Sequence, residues 1–299
     1  MLVALTGATG FIGGKIAESL VREGHEVRAL VRRTSRRDGI ERFVAEWRVG
    51  DFDDPQSQAG LVAGVDAVIH NAADWEAVRQ APSVNFKKNV LGSLGLLEQA
   101  RLASVPQFIF VSSVAVHHEI LPGGRIDETH LTWPSGIYGA YKAAVESHLK
   151  AYHHGYGMNT SAWRPAAVYG VDRDLKRSQW YDLIPAARDG QRIDTDRGGK
   201  ITHVQDVADA LTYAVGDDSV AGQFYNLVDG YMYWQTAAEI AKELTSSSAE
   251  IIDRKGPGPK NQFDCAKAIA FFDRHGNPAA LRRGTAGVRD YVRDLLGRL

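Results

Sequence analysis

Short, almost wholly apolar runs recur through the first half of the chain, separated by stretches with helical periodicity. The apolar runs predict strands at Leu2–Thr6, Glu26–Val31, Glu46–Val49, Asp66–His70, Gln107–Ser112 and Thr160–Arg164. The intervening stretches predict helices near Phe11–Glu23, Gln56–Val62, Pro82–Ala103 and Gly136–Tyr156. Strands alternating with helices of this length make βαβ units, hence a parallel sheet. Continuous apolar strands are expected when helices cover both faces.

After Pro165 the rhythm changes. Helices are expected around Gln179–Ala187, Val204–Val215 and Trp234–Leu244, with a last amphipathic one over Thr285–Leu299. Gly222–Leu227 can return to the main sheet. The fold class is therefore α/β, a Rossmann-type doubly wound parallel sheet with a smaller C-terminal substrate-binding region. Residues 1–165 form the dinucleotide-binding half and 166–299 the mainly substrate-binding half, partly interleaved with the first. Lys255-Gly256-Pro257-Gly258-Pro259-Lys260 is the most linker-like segment.

Bulk composition narrows the function by exclusion. The 299 residues include 44% hydrophobic and 24% charged residues, with a net charge of −1. Such a balance gives no general attraction to nucleic acid or anionic membrane. The single cysteine, Cys265, rules out an intrachain disulfide and suits a reducing, cytoplasmic setting. Met1–Gly7 reads as a buried strand rather than a signal peptide, and no apolar run reaches the roughly 18 residues of a membrane span.

The first chemistry-bearing motif is Thr6-Gly7-Ala8-Thr9-Gly10-Phe11-Ile12-Gly13, between the first strand and the first helix. Glycines permit a tight turn and close backbone approach to a pyrophosphate, which the helix N-terminus favours. Gly7, Thr9, Gly10, Phe11, Ile12 and Gly13 are thus candidate cofactor contacts. Their Gly-x-x-Gly-x-x-Gly spacing is one residue longer than the usual Rossmann form. Asp51, with Phe52 beside it, ends the third strand, where an acid can accept from an adenine amino group or merely cap a turn. At the end of the second strand, where NAD enzymes place an acid for the ribose 2′-hydroxyl, the chain has Arg32-Arg33. Two arginines suit a 2′-phosphate, so NADP is expected ahead of NAD.

Tyr138 and Lys142 open a helix four residues apart and share one face. An ammonium close to a phenol favours the phenolate and makes the pair a proton shuttle. Ser112-Ser113 end the fifth strand at the edge where ligands bind in such sheets.

Taken in order, Thr6–Gly13, Gly50-Asp51, His70-Asn71-Ala72-Ala73, Asn89, Val111-Ser112-Ser113, Tyr138–Lys142, Arg164-Pro165 and His203–Ala208 resemble the extended short-chain dehydrogenase/reductases. That group includes sugar-nucleotide epimerases and dehydratases and dihydroflavonol-reductase-like enzymes. The resemblance implies that Tyr138 is the general acid/base and that Lys142 binds the nicotinamide ribose. It implies that Ser113, 25 residues before Tyr138, orients the substrate. Ala72 and Ala73 would pass under the cofactor, and Asn89 would stand behind the site.

Two departures stand out. Relatives often carry Val-Tyr-Gly after the serine, where this chain has Val116-His117-His118. His117 and His118 either hydrogen-bond a polar substrate group or lie in a surface loop; no metal site is expected. Sugar-nucleotide enzymes often carry Arg-x-Phe-Asn-x-x-Gly, where this chain has Arg164-Pro165-Ala166-Ala167-Val168-Tyr169-Gly170. Alanine cannot make the asparagine's hydrogen bond. Trp75, Trp180 and Tyr181 either line a substrate site or fill the core. The expected function is an NADP-dependent oxidoreductase acting on a carbonyl or secondary alcohol of a small molecule. The alternative is an NAD(P)-dependent nucleotide-sugar epimerase or dehydratase. The resemblance also implies a homodimer paired through the helices near 82–103 and 136–156, with Leu91, Leu94, Leu97 and Leu102 needing burial.

Overall fold

The computed structural model describes residues 1–118, 120, 125–256, 258, 259 and 261–299. Pro257 and Lys260 of the expected linker lie outside the described residues. The chain forms two compact units, the first made of Met1–Pro122, Asp127–Arg164 and Val207–Asn226, the second of Gly123–Ile126, Pro165–Asp206 and Leu227–Leu299. The two halves of the chain interleave, since residues 207–226 belong to the first unit.

The strands, in chain order, are β1 (Leu2–Thr6), β2 (Glu26–Val31), β3 (Glu46–Val49), β4 (Ala67–His70), β5 (Gln107–Val111) and β6 (Arg125–Ile126). They continue as β7 (Asn159–Pro165), β8 (Ala167–Tyr169), β9 (Gly198–His203), β10 (Phe224–Leu227), β11 (Gly230–Tyr233) and β12 (Gln262–Phe263). A seven-stranded sheet has the order β10-β7-β5-β4-β1-β2-β3. Its β1–β2, β1–β4, β2–β3, β4–β5 and β5–β7 pairings are parallel.

Alternation along these strands buries both faces. Ala4, Val68, Phe108, Phe110 and Ala162 share one core with Leu61, Leu96, Leu97, Tyr141, Val145 and Leu149 from three helices. The intervening Leu5, Ile69 and Ile109 are equally buried and project to the opposite face. Helix Phe11–Arg22 is tied to helix Val204–Tyr213 by Arg22 and Ser19, both donating to Asp209.

The expected helix Pro82–Ala103 is interrupted. Helical turns at Pro82–Asn85 and Gly92–Leu102 flank a π-helical stretch, Phe86–Leu91. Side chains here compete for backbone groups, as Ser93 Oγ donates to the Asn89 carbonyl.

The second unit holds a three-stranded sheet, β11-β9-β8, and the short β12–β6 pair. Its core joins Tyr169, Trp180, Ile184, Ile201, Ala238, Val288 and Tyr291. The helix expected from Gln179 begins only at Leu183, because Trp180 has a left-handed backbone, φ 60°.

Candidate active site

The glycine turn closes on itself through Gly10 N–H donating to the Gly7 carbonyl, 3.0 Å. Gly7 has φ +73°, and a Cβ there would stand 3.0 Å from Ala72 N; one on Gly13 would stand 2.0 Å from Gly7 O. Glycine is thus required for the turn's conformation and for helix Phe11–Arg22 to approach so closely. Gly10 caps this helix with no side-chain hydrogen bond. The first N–H groups, around Phe11 and Ile12, are left for an anion, and the cradle fits a dinucleotide pyrophosphate. Thr9 is half-buried on the same turn.

The register Thr6↔Leu30 sets the end of β2 beside this turn. Arg32 and Arg33 follow that end and are exposed. Asp51 accepts from the Phe52 N–H at 2.8 Å, and burial, then the nearby Asp53, raises its carboxyl above the usual range. The Phe52 ring lies in the core, 5.4 Å from the His70 ring.

A buried relay fixes the strand ends under this cradle. Thr6 Oγ1 accepts from the Asn71 and Ala72 N–H groups, so its own proton goes to His70 Nδ1 at 2.7 Å. His70 Nε2–H then donates to Ser93 Oγ at 2.8 Å, and Ser93 donates to the Asn89 carbonyl at 2.6 Å. His70 is fully buried, and desolvation lowers its pKa to about 3, so it is neutral. The Asn89 carboxamide accepts from Asp74 N and donates to Asp74 O and Asn85 Oδ1. Asn89 therefore positions the segment that follows Ala72 and Ala73.

Tyr138 lies in the first turn of helix Ile137–Tyr156. A Cβ on Gly139 would fall 2.1 Å from the Ala115 carbonyl, so glycine lets this turn press against the backbone just after Ser113. Burial pushes the Tyr138 phenol up to about 12, and the neighbouring Ser113 hydroxyl acts in the opposite direction. Lys142 is buried, and desolvation brings its ammonium down to about 7, with Glu146 opposing. Its Nζ donates to the Val111 carbonyl at 2.6 Å and to Tyr141 Oη at 3.2 Å, and stands 5.7 Å from the Tyr138 ring centroid.

The two serines diverge. Ser112 Oγ is buried and donates to Glu146 Oε1 at 2.6 Å. Ser113 Oγ accepts from Ala115 N at 3.1 Å and is half-buried on the Tyr138 side. Behind them Arg164 donates to both Glu146 oxygens, 2.8 and 2.7 Å, with both side chains 2% exposed. Arg164 Nη1 also donates to His117 Nε2 at 3.2 Å, while His117 Nδ1–H donates to the Leu131 carbonyl at 3.1 Å. Arginine only donates and a carbonyl only accepts, which fixes this tautomer. Burial, then Arg164, lowers the His117 pKa to about 4.

The family model described as the NAD dependent epimerase/dehydratase family matches residues 3–227. The chain belongs to the NAD-dependent epimerase/dehydratase family. A 4-hydroxy-2-methyl-3-oxo-4-farnesyl-3,4-dihydroquinoline-1-oxide ketoreductase from Stigmatella aurantiaca is 30% identical over 77% of this chain and 69% of its own. A 3 beta-hydroxysteroid dehydrogenase/Delta 5-->4-isomerase from Mycobacterium tuberculosis is 27% identical over 76% of this chain and 64% of its own. Across such curated relatives the chain spans between 40% and 69% of their length. The crystal structure of the Thermus thermophilus UDP-glucose 4-epimerase in complex with NAD superposes with a TM-score of 0.78. It is 25% identical and is covered in full, as is this chain.

Within this epimerase/dehydratase frame, several expected residues turn out to serve structure. Trp180 is buried between Tyr169 and Tyr291, and Tyr181 packs against the same core rather than forming an open aromatic wall. His117 is buried behind the serines, whereas His118 is exposed. Among the described residues no group of three His, Cys, Asp or Glu side chains is placed to hold a metal. Sequence reasoning missed Glu146, Gly139, Tyr141 and the Thr6–His70–Ser93 relay. Glu146 had a signal, as an acid four residues beyond Lys142 on the same helical face. His70 had one too, as a polar end to an apolar strand.

Proposed function

We propose that this enzyme is an NADP(H)-dependent oxidoreductase that interconverts a carbonyl and a secondary alcohol on a small molecule in the cytoplasm. The observation that carries this reading is the convergence of Tyr138, Lys142 and Ser113 at the C-terminal end of β5. The nicotinamide, when bound, supplies or accepts the hydride. Ser113 orients the substrate oxygen, and Tyr138 gives that oxygen a proton in reduction or takes it back in oxidation. A phenol held near 12 is too weak an acid for this unaided. Lys142, whose Nζ stands 5.7 Å from the Tyr138 ring centroid, would favour the phenolate when charged and would bind the nicotinamide ribose. Arg32 and Arg33 would hold the 2′-phosphate, and Gly7–Gly13 the pyrophosphate. A ketoreductase among the relatives, and Ala166-Ala167 where nucleotide-sugar enzymes often have asparagine, favour a substrate without a nucleotide handle.

Replacing Tyr138 with Phe is expected to cut turnover by roughly 10²–10⁴-fold with cofactor affinity intact. A loss under about tenfold rejects the role. Arg32→Asp is expected to weaken NADPH by about 1.5–3 kcal/mol, and tighter NADH than NADPH binding to the unaltered protein rejects the cofactor assignment. The full-length match to a UDP-glucose 4-epimerase favours a second reading, a nucleotide-sugar epimerase or dehydratase. Specific thermal stabilisation by one nucleoside diphosphate, about 2.7 kcal/mol at 100 times its Kd, selects it.

We further propose a homodimer. Leu97 is buried and Leu94 packs on the core, but Phe86, Leu91, Leu102 and Tyr156 leave apolar surface exposed on the two helical segments. A sedimenting species of 32.7 kDa at micromolar concentration excludes it.

A further inference from the structure

We propose that Trp75 is the aromatic wall of the substrate site and selects substrates carrying a flat apolar ring system next to the reacting carbon. The inference rests on the assignment of Tyr138 as the proton-transferring group. The Trp75 indole lies on the Tyr138 ring, centroids 4.7 Å apart and planes inclined by 24°. One indole face is thus committed to the tyrosine, while the residue as a whole is 53% exposed. So large an apolar group is open to solvent next to the phenol that meets the substrate.

Its placement is built. The Asn89 carboxamide grips both backbone polar groups of Asp74, and the Asp74 carboxylate caps the Ala77 N–H at 2.9 Å. Trp75 is the first residue of the short helix so anchored, Trp75–Val78. The π-helical turn that carries the buried Asn89 therefore sets where the indole stands.

The stretch leading into the tyrosine helix has the same character. Leu131, Trp133 and Ile137 are all exposed. Trp133 is held by its carbonyl, which accepts from His118 N at 3.0 Å, and the Leu131 carbonyl accepts from His117 Nδ1. Three large apolar side chains in the stretch that leads into and opens the tyrosine helix are thus exposed, and Trp75 stacks directly on Tyr138. An indole face beside a proton-donating phenol suits a fused or aryl ring whose ketone or carbinol oxygen meets Tyr138. Offset stacking adds attraction beyond the area it buries.

The test measures binding rather than turnover. In the Tyr138→Phe protein loaded with NADPH, calorimetry compares 2-tetralone with its saturated counterpart 2-decalone, with and without Trp75→Ala. The expected result is that Trp75→Ala weakens 2-tetralone by about tenfold and 2-decalone by much less, while Trp75→Phe keeps most of the preference and NADPH affinity is unchanged. Equal losses for the two ketones, no loss for either, or no binding of 2-tetralone to the NADPH-loaded protein with Trp75 intact overturns the proposal. Retained turnover in Tyr138→Phe itself would instead reject the Tyr138 assignment, and the binding comparison distinguishes the two.

Discussion

Two buried histidines in the first unit are held in opposite ways. His70, beneath the glycine turn, belongs to a chain of neutral groups from Thr6 to Ser93 to the Asn89 carbonyl. His117, behind the serines, leans on an ion pair in which Glu146 also accepts from Ser112. The neutral chain has one allowed direction for every proton and asks for no charge to be desolvated. The ionic network holds β5, β7 and the tyrosine helix in register, but each of its charges depends on the other. The turn proposed to cradle the cofactor rests on weak, directional bonds; the backbone behind the serine proposed to orient the substrate is fixed by stronger and more fragile ones.

Breaking the ionic side has the larger expected effect. Glu146→Ala leaves the Arg164 guanidinium buried without its partner and is expected to cost about 3–5 kcal/mol in chemical denaturation. Replacing Glu146 and Arg164 together with Leu and Met is expected to cost less than that single change, because no uncompensated charge remains. A double variant as unstable as the single one would show that packing, not charge, decides this region.

Acid tests both regions at once. His70 and His117 have pKa values lowered to about 3 and about 4 in the folded state. The unfolded chain, with histidines near 6.5, then binds more protons than the native one below that pH. Stability is therefore fully present above about pH 6.5 and falls as pH drops toward those folded values. Each histidine contributes a slope approaching about 1.4 kcal/mol per pH unit, or about 2 kcal/mol lost by pH 5. Denaturation midpoints at pH 7 and pH 5 measure it. His117→Gln should remove about half of the slope, and an unchanged slope would mean that His117 titrates at the same pH in the folded and unfolded chains.

The smallest effect is expected on the neutral side. Ser93→Ala strips the His70 Nε2–H of its acceptor and should cost about 1–3 kcal/mol. A loss as large as that of Glu146→Ala would erase the distinction between the two networks.

Much of the sheet could be read in advance because β1, β4 and β5 are short, mostly apolar runs. The glycine turn was legible for a related reason: Gly7 and Gly13 meet steric demands that no other residue satisfies. Tyr138 and Lys142 were visible as a local pair. The Glu146–Arg164–His117 network was not, since its members are separated along the chain and only the fold brings β7 against the tyrosine helix. Trp180 and Tyr181 were ambiguous because an aromatic ring looks the same in a core and at a site. The helix Ala266–Arg274 was overlooked, its stripe of Ala268, Phe271 and Phe272 being brief. Trp75 was open to either reading until its stack on Tyr138 showed a side chain that is both placed and solvent-facing.

The return of residues 207–226 to the first unit has a consequence for synthesis. When residue 165 leaves the ribosome the seven-stranded sheet lacks β10, and β7 presents an open edge. Open edges invite pairing with other chains. About sixty further residues, most of them belonging to the other unit, must be made before Phe224–Leu227 can close that edge. The nascent protein must therefore carry an unfinished sheet through much of its second half, and a transcript truncated just after β7 would yield an aggregating product rather than a free-standing domain.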